Sequence, residues 1–159
     1  MMNGSGTEKQ DQCRETYEIA EMLPEDAAEV AQLEKQIFSM PWSAEGFLSS
    51  LQSQDTLYLK VTLDGRVIAY CGLLQSFDEA DITNVAVSAD FRGRGVGSAM
   101  LRELMARGCR RGIRRYTLEV RTGNAAAIAL YHKLGFCDAG IRKNFYERPR
   151  EDALIMWTK

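Results

Sequence analysis

Histidine is almost missing from the chain: His132 is the only one in 159 residues, beside three prolines and four cysteines. Cys13, Cys71, Cys109 and Cys137 are scattered with no C-x-x-C pair. A Cys/His zinc site and a Ser-His-Asp triad lack the residues and spacing they need, so no metal is expected and the cysteines read as reduced core or surface thiols. Long apolar runs are missing too. None approaches the roughly 18 to 20 residues that cross a bilayer, and Met1 to Glu15 is polar with no apolar h-region. The expectation is a cytoplasmic protein with no membrane partner. Internal repeats and low-complexity runs are equally absent.

What is present fits one domain: 45% apolar and 26% charged residues, in a length typical of a single core. Residues 1–14 are rich in Gly, Ser, Gln and charge and read as a disordered tail, with a single domain over 15–159. The net charge of −2 conceals a polarity. Residues 1–91 hold 5 Lys/Arg against 16 Asp/Glu, or −11, and residues 92–159 hold 15 against 6, or +9. A basic half suits a phosphate-bearing ligand and an acidic half could steer a cationic substrate. Segregation along the sequence need not survive folding, so the alternative is solvated charge of no function.

Tyr17 and Ile19 alternate with polar neighbours over Thr16 to Met22, a first strand, and Pro24 opens a helix whose apolar face is Val30, Leu33, Ile37 and Phe38. Met40-Pro41-Trp42-Ser43 breaks it, and Ser43 caps a second helix carrying Phe47, Leu48 and Leu51. A β block follows. Thr56 to Thr62 turns through Asp64-Gly65 into Arg66 to Gln75, and a turn at Asp78-Glu79 leads to Asp81 to Val87, an antiparallel meander. The rhythm then becomes helix (97–111), strand (116–120), helix (124–134) and a strand pair, Cys137 to Arg142 and Ala153 to Trp157. Gly112 and Gly135 sit where helix ends favour a left-handed residue. The fold class is α/β, a mixed, mostly antiparallel central sheet flanked by helices on both faces.

The richest stretch is Asn84 to Ser98: strand, short loop and glycine-rich helix start. Gly93, Gly95 and Gly97 remove side chains from the turn, so backbone N–H groups can close on a phosphate at the positive end of the following helix, with Arg92 and Arg94 adding charge. A Walker loop fails for want of its Lys. A dinucleotide fingerprint fails because its last glycine would be Ser98 or Met100. On the residues alone, a phosphate cradle and a purely structural loop both remain open.

Arg92-Gly93-Arg94-Gly95-Val96-Gly97 resembles the Gln/Arg-x-x-Gly-x-Gly/Ala pyrophosphate loop of the GNAT (Gcn5-related) N-acetyltransferases. Leu118-Glu119-Val120-Arg121, Asn124 to Tyr131 and Leu134-Gly135-Phe136 resemble the family's second block. Phe38 to Ser43, Arg142 to Tyr146 and Glu151 to Met156 are similar to the RimI type, the ribosomal-protein-alanine N-acetyltransferases. One departure is Met40, since that pattern has Phe directly before Pro-Trp. The resemblance implies the GNAT fold and acetyl-CoA as co-substrate. It further implies that Val85, Ala86 and Val87 pair with pantetheine like an added strand and that N–H groups from Gly93 to Ser98, Val96 among them, hold the pyrophosphate. Asn124, an N-cap by position, gains a polar contact to CoA.

Glu119 ends its strand on the face opposite Tyr116, Leu118 and Val120. By itself it reads as a solvated strand-end charge. The resemblance makes it the general base, through a water, on the incoming amine. Tyr131 shares a helix face with Ala127, Leu130 and Leu134, which by itself means core packing. The resemblance makes its hydroxyl the acid for the departing thiolate, while neighbouring His132 reads as a surface residue. Pro41, Trp42 and Tyr146, within the segments 38–43 and 144–152, are the candidate walls for the N-terminus of a ribosomal protein. Other readings stay open: a GNAT enzyme acting on a small amine or lysine, a non-catalytic acyl-CoA sensor, or a nucleic-acid binder using the arginines between Arg92 and Arg121. The last is weakened by the lack of interleaved aromatics, and no direct nucleic-acid partner is expected.

Overall fold

A computed structural model describes residues 16–159. The tail over 1–14 and Cys13 lie outside them. The chain runs β1 (Glu18–Glu21), a 3-10 turn (Pro24–Asp26), α1 (Ala27–Ile37), α2 (Ala44–Leu51), β2 (Thr56–Leu63), β3 (Arg66–Ser76), β4 (Glu79–Val87), α3 (Val96–Arg110), β5 (Arg115–Arg121), α4 (Ala125–Lys133), β6 (Phe136–Glu147) and β7 (Arg150–Thr158). Seven strands form one sheet in the order β1-β2-β3-β4-β5-β7-β6. All neighbours are antiparallel except β4 and β5.

The sheet separates two cores. On one face α3 lays Val96, Met100, Leu101 and Leu104 against Leu59, Leu73 and Met156, and α4 adds Tyr131. On the other, α1 and α2 bury Val30, Leu33 and Phe47 against Tyr58 and Tyr70. Each such side chain removed from water contributes about 1.5 to 3 kcal/mol. Helices therefore cover both faces, as the alternation in β2 and the 3.6-residue period in the helices require. The caps stand where their residue types place them. Ser43 Oγ accepts from Gly46 N–H at 3.2 Å, and Asn124 Oδ1 from Ala127 N–H at 3.2 Å. Among the described residues no helix is long and apolar enough to cross a membrane.

Three local expectations change. Phe38 is not on the α1 face but one residue past its end, in extended conformation and 39% exposed, because the helix stops at Ile37. The β3–β4 turn centres on Phe77, at φ 57°, and β4 begins at Glu79 rather than Asp81. The segment 144–152 is no loop. β6 continues to Glu147 and pairs with β7 up to Glu147↔Arg150, bending at Asn144, where φ is 53°. Nearly all of β6 is exposed on both faces, so it shows no apolar alternation, and its pairing rests on main-chain bonds to β7.

One irregularity re-aims the side chains of β4. Between Gly72↔Asn84 and Leu73↔Ile82 the register slips, leaving Thr83 as an extra residue in the strand. Such a bulge switches the alternation. Ala80 and Ile82 face the α3 core before it, Val85 and Val87 do so after it, and Ala86 turns to the α1–α2 core. Asn84, on the Ala86 side of this alternation, is carried to the same face as α1.

Candidate active site

β4 and β5 pair only at Glu79↔Arg115, Ala80↔Tyr116 and Asp81↔Thr117. Beyond that the strands part, and the gap opens into a cavity of about 680 Å³. Its strand walls are Ile82 to Val85 and Leu118 to Arg121. Parted parallel strands leave unpaired main-chain groups, which an extended ligand can use. The end of α1 with the segment after it, and the tip of the β6–β7 hairpin, close over the opening. Ser39 Oγ donates to Arg148 O, joining these two walls across the chain.

Glu119 and Tyr131 both line this cavity. The alternation of β5 sends Leu118 and Val120 into the α3 core and turns Glu119 the other way, with a side chain 37% exposed whose Oε1 lies 3.8 Å from Arg142 Nη2. Tyr131 comes from the opposite, α4 side. It is buried, with its ring 5.9 Å from that of Phe136. Burial, reinforced by Tyr146 and Cys71 nearby, pushes its phenol well above the usual range, so it stays an O–H donor. Tyr146 lines the cavity under the Arg121 guanidinium, 4.3 Å from its ring centre. Its phenol is also raised, first by burial and then by the Glu119 carboxylate, while Arg121 opposes this.

Arg121 fixes the geometry further. Its Nη1 donates to Pro149 O at 2.8 Å and approaches Glu151 Oε1 at 3.3 Å, and Nη2 donates to Arg148 O at 3.2 Å. Glu151 in turn accepts from Gly123 N–H at 2.7 Å, which holds the start of α4 against the hairpin. Asn124, Val85 and Trp42 line the cavity as well. Ala86 does not, since its side chain is in the α1–α2 core, and neither Pro41 nor Val87 reaches the lining. His132 is on the surface beside Asp138, 2.7 Å away.

The stretch Arg92 to Ser98 stands apart from the cavity, at the far end of β4. Gly93 and Gly95 are left-handed at φ 74° and 80°, a shape that side chains resist. The first intrahelical bond of α3 runs from Ala99 N–H to Gly95 O at 3.0 Å, so the N–H groups of Val96, Gly97 and Ser98 precede it at the positive end of the helix. Arg92 Nε donates to Val87 O at 3.1 Å, tying loop to strand, and Arg94 lies over Phe91, 5.3 Å from the ring centre. At Gly97 a Cβ would meet Leu130 Cδ2 at 3.4 Å, an ordinary contact.

Sequence reading overlooked Glu34. Its residue is 3% exposed yet lines the cavity, with Trp42 N–H at 3.4 Å from Oε1 and the Tyr70 hydroxyl donating to Oε2. Burial raises its carboxyl to about 7, against the lowering effect of the Trp42 N–H. The signal was available. Val30, Leu33, Glu34 and Ile37 fall at i, i+3, i+4 and i+7, which places a carboxylate on an apolar stripe. Among the described residues no group of His, Cys, Asp and Glu could hold a metal.

The fold and this opening define an acetyltransferase: residues 27–136 match the model of the acetyltransferase (GNAT) family, and the chain belongs to that family. It has the GNAT fold and takes acetyl-CoA as co-substrate. Among particular proteins it is 42% identical over 127 residues to the [ribosomal protein bS18]-alanine N-acetyltransferase of Salmonella typhimurium, covering 79% of this chain and 85% of that one. It is 38% identical over 140 residues to the Escherichia coli (strain K12) protein of the same name, covering 87% and 94%. The crystal structure of the ribosomal-protein-S18-alanine N-acetyltransferase from Escherichia coli superposes with a TM-score of 0.83 at 36% identity, over 90% of this chain and 93% of that one.

Proposed function

We propose that the chain acetylates the N-terminal α-amine of a protein, and specifically the N-terminal alanine of a small-subunit ribosomal protein in the cytoplasm. The observation that carries this is the parting of β4 and β5, which opens one cavity to Glu119 from one face and Tyr131 from the other. Pantetheine extends along the freed edge at Val85, and its pyrophosphate rests on the N–H groups of Val96 to Ser98. The peptide N-terminus enters between the Trp42 and Tyr146 walls. The similarity to alanine N-acetyltransferases supports this choice of substrate.

Glu119 accepts the proton of the α-ammonium, through a water. The freed nitrogen lone pair attacks the thioester carbonyl carbon, the C–N bond forms, the C–S bond breaks with its electron pair passing to sulfur, and the second proton that the nitrogen loses as the amide forms replaces the one Tyr131 gives to the thiolate. Tyr131 faces that thiolate. Because burial holds its proton tightly, it acts first as a hydrogen-bond donor to the developing charge, and full transfer follows only as negative charge accumulates on sulfur. Direct attack fits the cavity, since among the described residues no cysteine lines it: Cys71 is buried in the core, and Cys109 and Cys137 are exposed. An α-amine, with a pKa near 8 against about 10.4 for lysine, needs only one such base.

Short peptides differing only at residue one, incubated with acetyl-CoA and read by mass spectrometry, test the proposal. Acetyl on the α-amine of alanine-starting peptides is expected. Acetyl mainly on internal lysines, or on peptides whose N-terminus is blocked, overturns it.

A further inference from the structure

Glu34 has no assigned part in this chemistry, and its surroundings are unusual for a buried carboxylate. Such groups normally pair with a cation, because an isolated charge is expensive to remove from water. Among the described residues none pairs with Glu34. Lys60, the lysine on a strand of the same half, is held by Asp26 at 2.7 Å, and Lys35 next to Glu34 is exposed. The two partners present, the Tyr70 hydroxyl and the Trp42 N–H, each occupy one oxygen. A carboxylate offers about four acceptor positions, so two are taken by no protein donor among the described residues. Glu34 lines the cavity with Asn84, which the β4 bulge turns to this face, and with the Phe38 to Trp42 wall along which the peptide N-terminus is expected to enter.

We propose that Glu34 is the residue that recognises the substrate's α-ammonium, the cation this buried carboxylate lacks. The inference rests on the α-amine reading of the function. An ammonium brings three donors to a carboxylate with two acceptor positions that no protein donor takes among the described residues. Glu34 holds the amine as it enters, and Glu119 on β5 takes its proton. A peptide with a blocked N-terminus has no charge to offer and loses this contact.

The resting state of Glu34 gives the proposal a pH signature. Around it, β3 contributes Tyr70, β4 the neutral Asn84 and the segment after α1 the Trp42 N–H, while Asp26, eight residues back at the start of α1, is paired with Lys60. Across the cavity stand Glu119 and Arg121 on β5 and Tyr146 and Arg148 on the β6–β7 hairpin. With its carboxyl raised to about 7 by burial, Glu34 is largely protonated below that pH in the empty site. An ammonium arriving there must expel the proton, so binding releases protons at pH 6 and few at pH 8. Peptide KM accordingly rises as pH falls through 7.

The test is calorimetric titration of the full chain, saturated with CoA so that no turnover occurs, with an alanine-starting hexapeptide at pH 6 in two buffers of different ionisation enthalpy. Proton release approaching one per peptide is expected. It should vanish for the N-terminally acetylated peptide and for Glu34→Gln, whose peptide KM should rise about tenfold with the acetyl-CoA KM unchanged, as for a lost charge-assisted hydrogen bond. Tyr70→Phe keeps the carboxylate and removes a donor to its charged form, so it should shift the acid limb of peptide KM upward by about half a pH unit, and it serves as the measurement if Glu34→Gln does not fold. Equal proton release in wild type and Glu34→Gln, or an unmoved limb in Tyr70→Phe, overturns the proposal while leaving α-amine acetylation standing. A peptide that neither binds nor is acetylated overturns both.

Discussion

At the scale of single residues, the reach of sequence reading depends on whether a side chain's role follows from local periodicity. The two-residue repeat of β5 places Glu119 on the face away from Leu118 and Val120, and the cavity is there. Tyr131 belongs by period to an apolar helix face, and it is buried, yet it also lines the cavity. A stripe alone cannot tell a core residue from one bordering an opening, because the opening exists only once β4 and β5 part. Glu34 sits on the same kind of stripe and escapes notice for that reason. The two assigned roles separate in a kinetic experiment. Glu119→Gln and Tyr131→Phe should each lower kcat by about 10² to 10⁴-fold while acetyl-CoA affinity changes little, since each removes a proton-handling group and leaves the strand edge and the α3 N-terminus intact. Tyr131→Phe keeps the ring against Phe136, so its melting temperature should stay close to wild type. Full kcat at saturating substrates in both variants would show the acid and base to be assigned wrongly.

Elements are legible where they carry an apolar period or a cap, and hidden where they do not. The meander, α3 and α4 and their caps stand within a few residues of expectation because buried periodicity and turn glycines specify them. The outer half of the β6–β7 hairpin escapes because a strand exposed on both faces looks like a polar loop. The β4 bulge is invisible for another reason: it depends on pairing with β3, where the Tyr58 ring lies so close over Gly72 that a Cβ would overlap it. The loop between β4 and α3 is the element most open to test. Gly95 has nothing within 4 Å of a would-be Cβ, so space is not its constraint; its φ of 80° is. Gly95→Val should force the loop out of the left-handed region, which disfavours such residues by about 1 to 2 kcal/mol, and move the N–H groups of Val96 to Ser98. Acetyl-CoA affinity in a calorimetric titration should fall about tenfold or more. Gly97→Ala, with φ unconstrained and only an ordinary contact to Leu130, should fall less. Equal affinity for wild type and Gly95→Val would remove the loop from acetyl-CoA binding.

Across the whole molecule, the opposition of charge between the two parts of the sequence becomes spatial through the helices, because α1 and α2 with their glutamates cover one face of the sheet and α3 with Arg102, Arg107 and Arg110 covers the other. The turn before α1, α1 and α2 carry Glu25, Asp26, Glu29, Glu34 and Glu45 against Lys35, whereas the hairpin facing them balances Arg142, Lys143, Arg148 and Arg150 with Asp138, Glu147, Glu151 and Asp152. The mouth therefore has one acidic wall and one of balanced charge. A basic peptide entering N-terminus first is drawn along the acidic one, and its downstream lysines and arginines lie where the field of exposed carboxylates is screened by salt. With acetyl-CoA saturating, so that salt effects on its phosphates do not limit the rate, raising NaCl from about 0.05 to about 0.5 M should increase KM several-fold for an alanine-starting peptide with basic residues downstream. The same peptide with those residues replaced by glutamine should show a much shallower rise, and kcat should hardly move for either, since steering acts on capture and not on the chemical step. Parallel salt slopes for the two peptides would show that the acidic wall plays no part in capture and that the charge polarity of the sequence serves only the acetyl-CoA side.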